Sequence, residues 1–513
     1  MIESKFLLEK IHPLFLPMRI ELMIFLLSFA VVTSAQKYNH QWLFGYDSFS
    51  GSNSYGLSVI DFNDGIVTID FWSQVGHDLG PEGSFLDDGV TGEIILYTNG
   101  CRVWDANRNS LTGEDFLMDD WASPLYCPKE HPTRNARLLL PSLQNDTTVY
   151  LIQKDVNYSE EIGTVVSERL FIHTIIQSED GVFFLQNTEV VLDTVLVIGH
   201  LTAGPNLARD KWWFSVTEHD TNRHFIYELG GEEVISEPII HEEGSIATSY
   251  AWDVGQAAFS PDMSIWANNT EDFGIMLFDF DNNTGEFSNY REIHYPNMDT
   301  AEGLCFSPNG RYIYTTTAED IYQIDLEAVD TSEQVHHLGY VRFPSPDDGW
   351  PVGLGYMYLG PDCRIYISPG TTSQYMHVIH NPDGYQDACL LDVGAILTPT
   401  HVGHHLPNLP NYYYLNGCDP DIAWGIPVST AAPDEEEFLA VFPNPTRSKV
   451  LLQRPAGDFS PVRWRLFNAQ GVLVREELLV GNQQEVDLNN LPSGTYFWRL
   501  ENTTQMGRLV IFD

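Results

Sequence analysis

The sequence predicts an all-β protein, a β-propeller of about seven four-stranded blades followed by a small Ig-like β-sandwich. A short motif ending in Pro-Asp or Pro-Asn recurs at spacings of 56, 47 and 53 residues, and strand-like apolar runs follow each copy. The four motifs start at Ala203, Phe259, Phe306 and Leu359. The C-terminal segment instead alternates apolar and polar positions, the period of two that is typical of half-buried strands.

Residues 1–35 are predicted to be a signal peptide. Leu22 to Val32 is an apolar run that precedes the small residues Thr33-Ser34-Ala35, the pattern of a signal peptidase site. Cleavage after Ala35 would leave Gln36 as the mature N-terminus. The run is too short to span a bilayer as a helix. Residues 1–17 are unusual for a signal peptide, so a true start at Met18, or even at Met23, is the alternative. We expect export and no transmembrane segment in the mature chain.

Residues 36–418 are predicted to form the propeller. Each repeat supplies strands and a proline turn for one antiparallel blade, and blades must stack because each alone exposes two apolar faces. Looser copies upstream of Ala203 bring the number of blades to about seven, with six or eight as alternatives. If the motifs mark equivalent turns, four residues occupy equivalent places on middle strands: Trp213, Ile265, Ile313 and Ile365.

The repeat form, as in Phe306-Ser307-Pro308-Asn309-Gly310, resembles WD40-like and TolB-like propeller repeats. The whole body also resembles exported propellers that precede a bacterial sorting tag. The shared traits include Trp42-Leu43-Phe44-Gly45 near the mature start and Leu406-Pro407-Asn408-Leu409-Pro410-Asn411-Tyr412 at the end of the body. This resemblance implies a fold and hardly any chemistry.

Six cysteines in an exported protein favour disulfide formation. In each of two pairs the cysteines are separated by one turn-rich excursion. We expect two bridges, Cys101–Cys127 and Cys363–Cys389. Cys305 lies in a buried-strand pattern that favours a packed free thiol, whereas Cys418 stands beside the linker and its state is open.

Two groups of residues are candidates for a metal site. Asp279 and Asp281 begin a run of alternating oxygen ligands like the start of a calcium loop, but the distant Glu of an EF-hand is missing, and a turn between strands is the stronger interpretation. His401, His404 and His405 cluster in a glycine-containing loop whose spacing does not force three ligands to converge. We expect no cofactor, calcium being the one alternative, and the catalytic and ligand-binding residues stay unassigned.

Residues 419–437 are predicted to be an acidic linker, and residues 438–513 a separate β-sandwich. Its motifs run in order from Phe442-Pro443-Asn444-Pro445, through a turn at Gly471, to Leu491, Gly494 and Tyr496 and a closing basic-hydrophobic strand. This order closely resembles the type A sorting domain of the type IX secretion system in Bacteroidetes. The resemblance implies contact with the secretion machinery, passage across the outer membrane, and release or attachment at the cell surface.

Charge and missing motifs limit the function. Asp and Glu (71) far outnumber Lys and Arg (26), and a net charge of −45 would repel phosphate backbones, so we expect no nucleic acid partner. The sequence contains no serine-nucleophile elbow, H-E-x-x-H helix or phosphate loop. It favours a non-catalytic module that binds an extracellular glycan or protein. The alternative is a propeller hydrolase or lyase acting on a polymer or lactone.

Overall fold

The computed structural model of this chain describes residues 36–46, 54–73, 76–79, 83–113, 115–127, 129–231, 234–247, 255–344, 351–403, 406–426, 440–442, 446–453, 462–468, 472–479, 483–500 and 506–512. Several predicted features lie outside these residues. They are the signal peptide with Ala35, most of the linker, His404, His405, Pro443, Asn444, Pro445 and Gly471. Among the described segments, every helix lacks the length or the apolar character needed to cross a membrane.

Among the described residues, seven antiparallel sheets follow one another from β1 onward, and each is one blade. Blade 1 begins with β1 (Gln41–Tyr46), β2 (Gly56–Asp61) and β3 (Ile66–Ser73). Blade 2 has three strands in the part of the chain that the structure describes, β4 (Ser84–Asp87), β5 (Ile94–Thr98) and β6 (Val103–Asp105). Blade 3 contains β7 (Arg137–Pro141), β8 (Thr148–Lys154), β9 (Asn157–Ser159), β10 (Thr164–Gln177) and β11 (Phe183–Leu196).

The next four blades have four strands each, paired in chain order. Blade 4 is β12 (Thr202–Pro205), β13 (Trp212–Thr217), β14 (Thr221–Leu229) and β15 (Ile239–Ala247). Blade 5 is β16 (Ala257–Phe259), β17 (Ile265–Thr270), β18 (Gly274–Asp281) and β19 (Glu286–Ile293). Blade 6 is β20 (Ala301–Phe306), β21 (Tyr312–Thr317), β22 (Asp320–Asp325) and β23 (Val335–Tyr340). After a hairpin of β24 (Phe343–Pro344) and β25 (Pro351–Val352), blade 7 is β26 (Met357–Leu359), β27 (Ile365–Ile367), β28 (Ser373–Ile379) and β29 (Leu391–Val402).

The sheets close into a ring, which confirms the predicted propeller. Strand β29 of blade 7 lies against all three strands of blade 1. There the hydroxyls of Ser58 and Thr400 are 2.7 Å apart, and the amide of His401 donates to the carbonyl of Ser54 at 2.9 Å. A late strand, β30 (Ala423–Trp424), pairs in parallel with β3. Closure joins the two terminal sheets and so protects strand edges that an open array would expose.

The helices of the described residues are short connectors. Two are α-helical, α1 (Ser123–Tyr126) and α2 (Tyr413–Asn416). Three are 3₁₀ turns, at Met298–Thr300, Thr331–Glu333 and Gln386–Cys389. The structure of the body is therefore set by its sheets and by the turns between their strands.

The Asp or Asn of each repeated motif caps the turn between the first and second strands of its blade. Its side-chain oxygen accepts a hydrogen bond from a backbone amide two to four residues ahead, a bond that stabilises the turn locally. These bonds run from Asp210 to Asn206 (3.0 Å), Ser264 to Asp262 (3.0 Å), Arg311 to Asn309 (2.9 Å) and Arg364 to Asp362 (3.2 Å).

The register of the second strands corrects part of the repeat alignment. The first residues of the four motifs pair across the sheet with Phe214, Trp266, Ile313 and Ile365. Trp213 and Ile265 therefore lie one residue out of step with Ile313 and Ile365. Because side chains alternate along a strand, this shift places them on the opposite face of their sheets.

One predicted disulfide is present and the other is wrong. Cys101 is bonded to Cys127, but Cys363 is bonded to Cys418 instead of Cys389. Cys389 is a buried free thiol, as is Cys305.

The position of Cys363 explains its partner. Cys363 lies in the turn after β26. The end of the propeller chain returns to this turn, where the amide of Asp419 donates to the carbonyl of Pro361 at 2.7 Å. Cys389 instead packs in the same core as Tyr314 of blade 6. The Cys363–Cys418 bridge therefore ties the end of the propeller to blade 7.

The C-terminal segment is a sandwich of two small sheets around its own core. One sheet contains β31 (Ala440–Phe442), β32 (Lys449–Gln453) and β35 (Gln483–Asp487). The other contains β33 (Val462–Asn468), β34 (Leu473–Leu479), β36 (Gly494–Leu500) and β37 (Met506–Ile511). Alternate residues point inward, so that Trp464, Leu466, Tyr496, Trp498 and Leu509 share one buried cluster.

Candidate functional site

The central channel is filled by a segment of the chain itself. Residues 406–412, nearly all buried, run among the inner strands of the blades. The amide of Asn408 donates to the carbonyl of Gly83 at 3.1 Å, and its side-chain nitrogen donates to the carbonyls of Arg137 (3.1 Å) and Leu201 (2.9 Å). Its side-chain oxygen accepts from the hydroxyl of Tyr358 at 3.2 Å. These partners lie in or beside the inner strands of blades 2, 3, 4 and 7, so one asparagine joins four blades.

A second asparagine three residues later extends the same arrangement. The amide of Asn411 donates to the carbonyl of Ala203 in blade 4, and its side chain donates to the carbonyl of Ser260 beside blade 5, both at 2.7 Å. Tyr412 follows and packs edge-on against Trp212, with ring centroids 5.9 Å apart. Burial raises the pKa of Tyr412 well above its usual value. We call residues 406–412 the channel segment.

One cavity lies beside the channel segment. The cavity measures about 70 Å³, and its lining includes Gln256, Phe306 and Met357. The side-chain oxygen of Gln256 accepts from the amides of Leu304 and Met357, each at 3.0 Å. A cavity of this size holds a few water molecules. A sugar or lactone ring therefore finds no room at this point of the channel.

Two buried titratable groups elsewhere in the body, Lys154 and His200, are engaged in internal hydrogen bonds. Burial lowers the pKa of Lys154 to about 7, and its ammonium donates to the carbonyls of Val197 (2.8 Å) and Gly199 (2.6 Å). Burial likewise lowers the pKa of His200 to about 3, and its Nδ1 lies 2.9 Å from Nδ2 of Asn268. These groups join blades 3, 4 and 5 and are sealed from solvent, so they cannot exchange protons readily with a substrate.

The predicted metal candidates do not come together among the described residues. Asp279 is bound by Arg291 at 2.8 Å and by Asn289 at 2.9 Å, and Asp281 accepts from the amide of Asn283 in a turn. Nδ1 of His401 lies 2.7 Å from a backbone carbonyl, and its ring stacks on Tyr55. Across the described ranges, no group of three or more His, Cys, Asp or Glu converges as metal ligands would.

A more promising surface lies outside the channel, beside blade 3. Trp121 is 39% exposed, and its ring centroid lies 6.2 Å from that of Tyr158 and 6.4 Å from that of Tyr126. Tyr158 is 49% exposed and Leu125 is 60% exposed. We call Trp121, Leu125, Tyr126 and Tyr158 the aromatic platform. Clustered aromatic groups that stay in water are typical of binding surfaces.

The residue next to Trp121 holds the aromatic platform rigid. The carboxylate of Asp120, buried, accepts from the amides of Ser123 (2.8 Å) and Val156 (2.9 Å) and lies 2.9 Å from Nε2 of His131. Burial alone would raise the pKa of Asp120, but these hydrogen bonds outweigh it and lower the pKa to about 2. Burial also lowers the pKa of His131, so the pair is an ionised Asp and a neutral His.

The disulfide Cys101–Cys127 closes the loop that carries Trp121. Oδ1 of Asn157 accepts from the amide of Trp121 at 3.1 Å and so links this loop to β9, where Tyr158 lies. The loop is thus closed beside blade 2 by the disulfide and tied to blade 3 through Asn157. A rigid loop loses little conformational freedom on binding, which favours affinity.

Sequence reasoning missed both features. The channel segment carries two consecutive Leu-Pro-Asn triplets, a signal that could have suggested a repeated contact along an axis. The aromatic platform has no comparable signal, because in the sequence an exposed Trp of a loop cannot be told from the buried Trp residues of a β-rich chain.

The C-terminal sandwich is identified by comparison. Residues 440–511 match the family model described as a secretion system C-terminal sorting domain. The protein is exported. The sorting domain indicates the type IX secretion machinery as its partner and a final location at the cell surface or in the medium.

The described residues of the predicted sorting motif lie at structural positions of this domain. Leu491 packs against its core, Gly494 begins β36, and the hydroxyl of the buried Tyr496 donates to the carbonyl of Pro492 at 2.7 Å. The backbone of Phe442 ends β31. These residues shape the domain and leave its outer faces to other side chains.

Comparison with solved structures finds propeller proteins of low identity. A Bacteroides uniformis protein described as a candidate 6-phosphogluconolactonase is 13% identical, with 72% of this chain and 98% of that chain covered and a TM-score of 0.41. A Lactobacillus plantarum protein is 13% identical over 71% and 98%, with a TM-score of 0.39. The Dos1 propeller is 9% identical over 66% and 90%, with a TM-score of 0.30. A search of curated proteins gives no match. These likenesses carry no argument about activity.

Proposed function

We propose that this protein is an exported, non-catalytic binding module. In this proposal a signal peptide that ends at Ala35 takes the chain to the periplasm of a Bacteroidetes bacterium, and the tail acts as a type A sorting domain. The body would be a WD40-like or TolB-like propeller. The filled channel carries the proposal, because ligand sites of such rings usually form at the axis, and here the channel segment occupies the axis beside a cavity that holds a few water molecules.

The aromatic platform is the surface that we propose for binding. Its rings lie tilted around Trp121, at 39° to Tyr158 and 58° to Tyr126, and form a shallow apolar face. Such a face suits the flat, C–H-rich side of a sugar ring, and polar groups nearby such as Arg169, which reaches the carbonyl of Asp119, can bond its hydroxyls. The strong negative charge of the chain disfavours anionic polymers. We therefore propose a neutral extracellular glycan as the ligand.

Titration of the full chain with neutral polysaccharides tests the platform. We use soluble xylan, mannan and β-glucan as probes in affinity electrophoresis and calorimetry. Trp121→Ala and Tyr158→Ala should each weaken binding about ten-fold or more, because each removes a stacking face. Phe184→Ala is the matched control, since Phe184 is an exposed aromatic of β11 outside the platform. Failure of all three glycans to bind would refute the glycan proposal, and selective capture of a protein through Trp121 would identify the other ligand class.

The alternative activity, hydrolysis or lysis of a polymer or lactone, lacks support at the channel. It would need acidic, basic or histidine side chains from several blades around a space that admits substrate. The binding proposal also needs no cofactor, and Asp279 and Asp281, the calcium candidates, are occupied by Arg291 and turn amides. Release of new reducing ends from any of the three glycans by wild-type protein would overturn the non-catalytic part of the proposal.

A further inference from the structure

Two outward-facing side chains of the sorting domain contact the propeller. Phe497 of β36 and Arg508 of β37 are direct cross-strand partners, so they lie on the same face of their sheet. Their neighbours Trp498 and Leu509 point the other way, into the core of the sandwich. The face that carries Phe497 and Arg508 is therefore the outer face of the domain, and it meets blade 7.

The apolar half of this contact is a small aromatic cluster. The ring of Phe497 stacks on Phe343 with centroids 5.1 Å apart and an interplanar angle of 17°, and it lies edge-on to Tyr375 at 6.5 Å. Gly394, with φ +66°, lets this ring approach β29, because a Cβ at Gly394 would lie only 3.0 Å from Cε1 of Phe497. Phe343 is 7% exposed with the domain in place.

The polar half is an ion pair at the same edge of blade 7. The guanidinium of Arg508 contacts the carboxylate of Asp392, which also lies 3.3 Å from Nε2 of His380. Burial alone would raise the pKa of Asp392, but the bonds from His380 and Arg508 outweigh it and hold the pKa below its usual value. The half-buried carboxylate of Asp392 needs a cation, and the aromatic cluster beside it accepts a ring. Together they form a site that selects a partner by both charge and shape.

We propose that a docking site for the sorting domain of the same chain is formed by this edge of blade 7, with Tyr375, Asp392 and Gly394, and by Phe343 of the preceding hairpin. The linker between β30 and β31 keeps the propeller and the sorting domain at a high effective concentration relative to each other. A contact of this size therefore suffices to hold them together. The folded propeller then covers the face of β36 and β37. Secretion machinery that recognises the domain must use another face or displace blade 7.

Cross-linking in the full chain tests this docking. In Phe343→Cys/Phe497→Cys protein, a mild oxidant should join the two cysteines, and mass spectrometry of a denaturing digest should detect the linked peptides. The matched control pair is Phe343→Cys/Arg463→Cys, since Arg463 bonds Glu476 on the exposed surface of the same domain. We expect the first pair to react about ten-fold faster than the control pair. Equal rates for the two pairs would overturn the proposal.

Charge reversal separates docking from mere proximity and from misfolding. In the cross-linking background, Arg508→Asp should slow the reaction about ten-fold, because it places two carboxylates together. Adding Asp392→Arg should restore the rate, and this rescue shows that both domains still fold. Arg463→Asp, with the same change in net charge, should leave the rate unchanged. If Arg508→Asp left the cross-linking rate unchanged, or if Asp392→Arg failed to restore it, docking through this ion pair would be contradicted.

Discussion

The channel segment and the sorting domain both follow blade 7 in the chain, yet they meet the propeller in opposite ways. The channel segment is nearly all buried and is bonded to the inner strands of several blades through Asn408 and Asn411. The Cys363–Cys418 bridge then fixes the chain that leaves it. The sorting domain has a core of its own and touches blade 7 through Phe497 and Arg508.

This difference shows that the channel segment is a part of the propeller fold, whereas the sorting domain is a separate domain attached to it. Removing the channel segment would leave the carbonyls of four blades without partners inside the ring. Removing the sorting domain uncovers one aromatic cluster and one carboxylate. An export signal is best placed in a part of the chain whose presence the cargo does not require, and the disulfide at Cys418 marks the border between the two.

The largest effect that tests this border is expected at the disulfide. Cys418→Ser should lower the free energy of unfolding by about 4 kcal/mol, because the bridge restrains a long loop of the unfolded chain. Denaturant unfolding under non-reducing conditions measures the change. Cys363→Ser should match it, and Cys389→Ser, which removes a free buried thiol, should cost clearly less. If Cys389→Ser cost as much as Cys363→Ser, the bridge drawn from sequence spacing would be the true one.

The second effect concerns the centre of the channel. Asn408→Ala should destabilise the propeller by about 3 kcal/mol, because it leaves two buried carbonyls and the hydroxyl of Tyr358 unpaired. Urea unfolding monitored by near-ultraviolet circular dichroism reports it. Asn145→Ala, in an exposed turn, is the control and should cost under about 1 kcal/mol. Equal costs at the two positions would mean that the channel segment is not part of the fold.

The sequence predicted best where local chemistry decides the structure. The Pro-Asp and Pro-Asn motifs predicted turns correctly because Asp262 or Asn309 caps its own turn through neighbouring amides. The register failed at Trp213 and Ile265, because each lies one residue before the position that pairs with its motif, and a shift of one residue inverts a strand's faces.

Features that depend on distant parts of the chain were out of reach. The partner of Cys363 depends on where the chain returns after it crosses the channel, so spacing favoured Cys389 over Cys418. The exposure of Trp121 likewise depends on how Asp120 and the Cys101–Cys127 bridge hold its loop. The local pattern of residues predicts neither the path of the chain to Cys418 nor the exposure of Trp121.

A third effect follows from the buried Lys154 at the junction of blades 3 and 4. Its pKa is lowered to about 7 in the fold, against about 10.4 for a free lysine, so between these values the unfolded chain binds more protons than the folded one. Wild-type stability should therefore rise with pH from 7 to 9, relative to Lys154→Met, by up to about 1.4 kcal/mol per unit. Urea unfolding at pH 7, 8 and 9 measures this difference.

Lys211→Met is the control for that experiment. The ammonium of Lys211 bonds Glu228 at 2.8 Å near the surface, and this bond raises its pKa, so it keeps its proton in both states over the same pH range. The difference between wild type and this variant should stay flat from pH 7 to 9. A flat difference for Lys154→Met as well would mean that water or an acidic group reaches the Lys154 ammonium.

The smallest effect is expected from removing the sorting domain, which lies on the C-terminal side of the border at Cys418. Deleting residues 434–513 should lower the free energy of unfolding of the propeller by only about 1 kcal/mol, since it removes the stacking of Phe497 on Phe343 and one partially exposed ion pair. The same deletion should keep the protein out of the medium and off the cell surface. Unfolding curves of the purified truncated chain, with immunodetection in each cell fraction, measure both outcomes. A loss as large as that of Asn408→Ala would make the sorting domain a part of the fold, and normal export would contradict its role as a sorting signal.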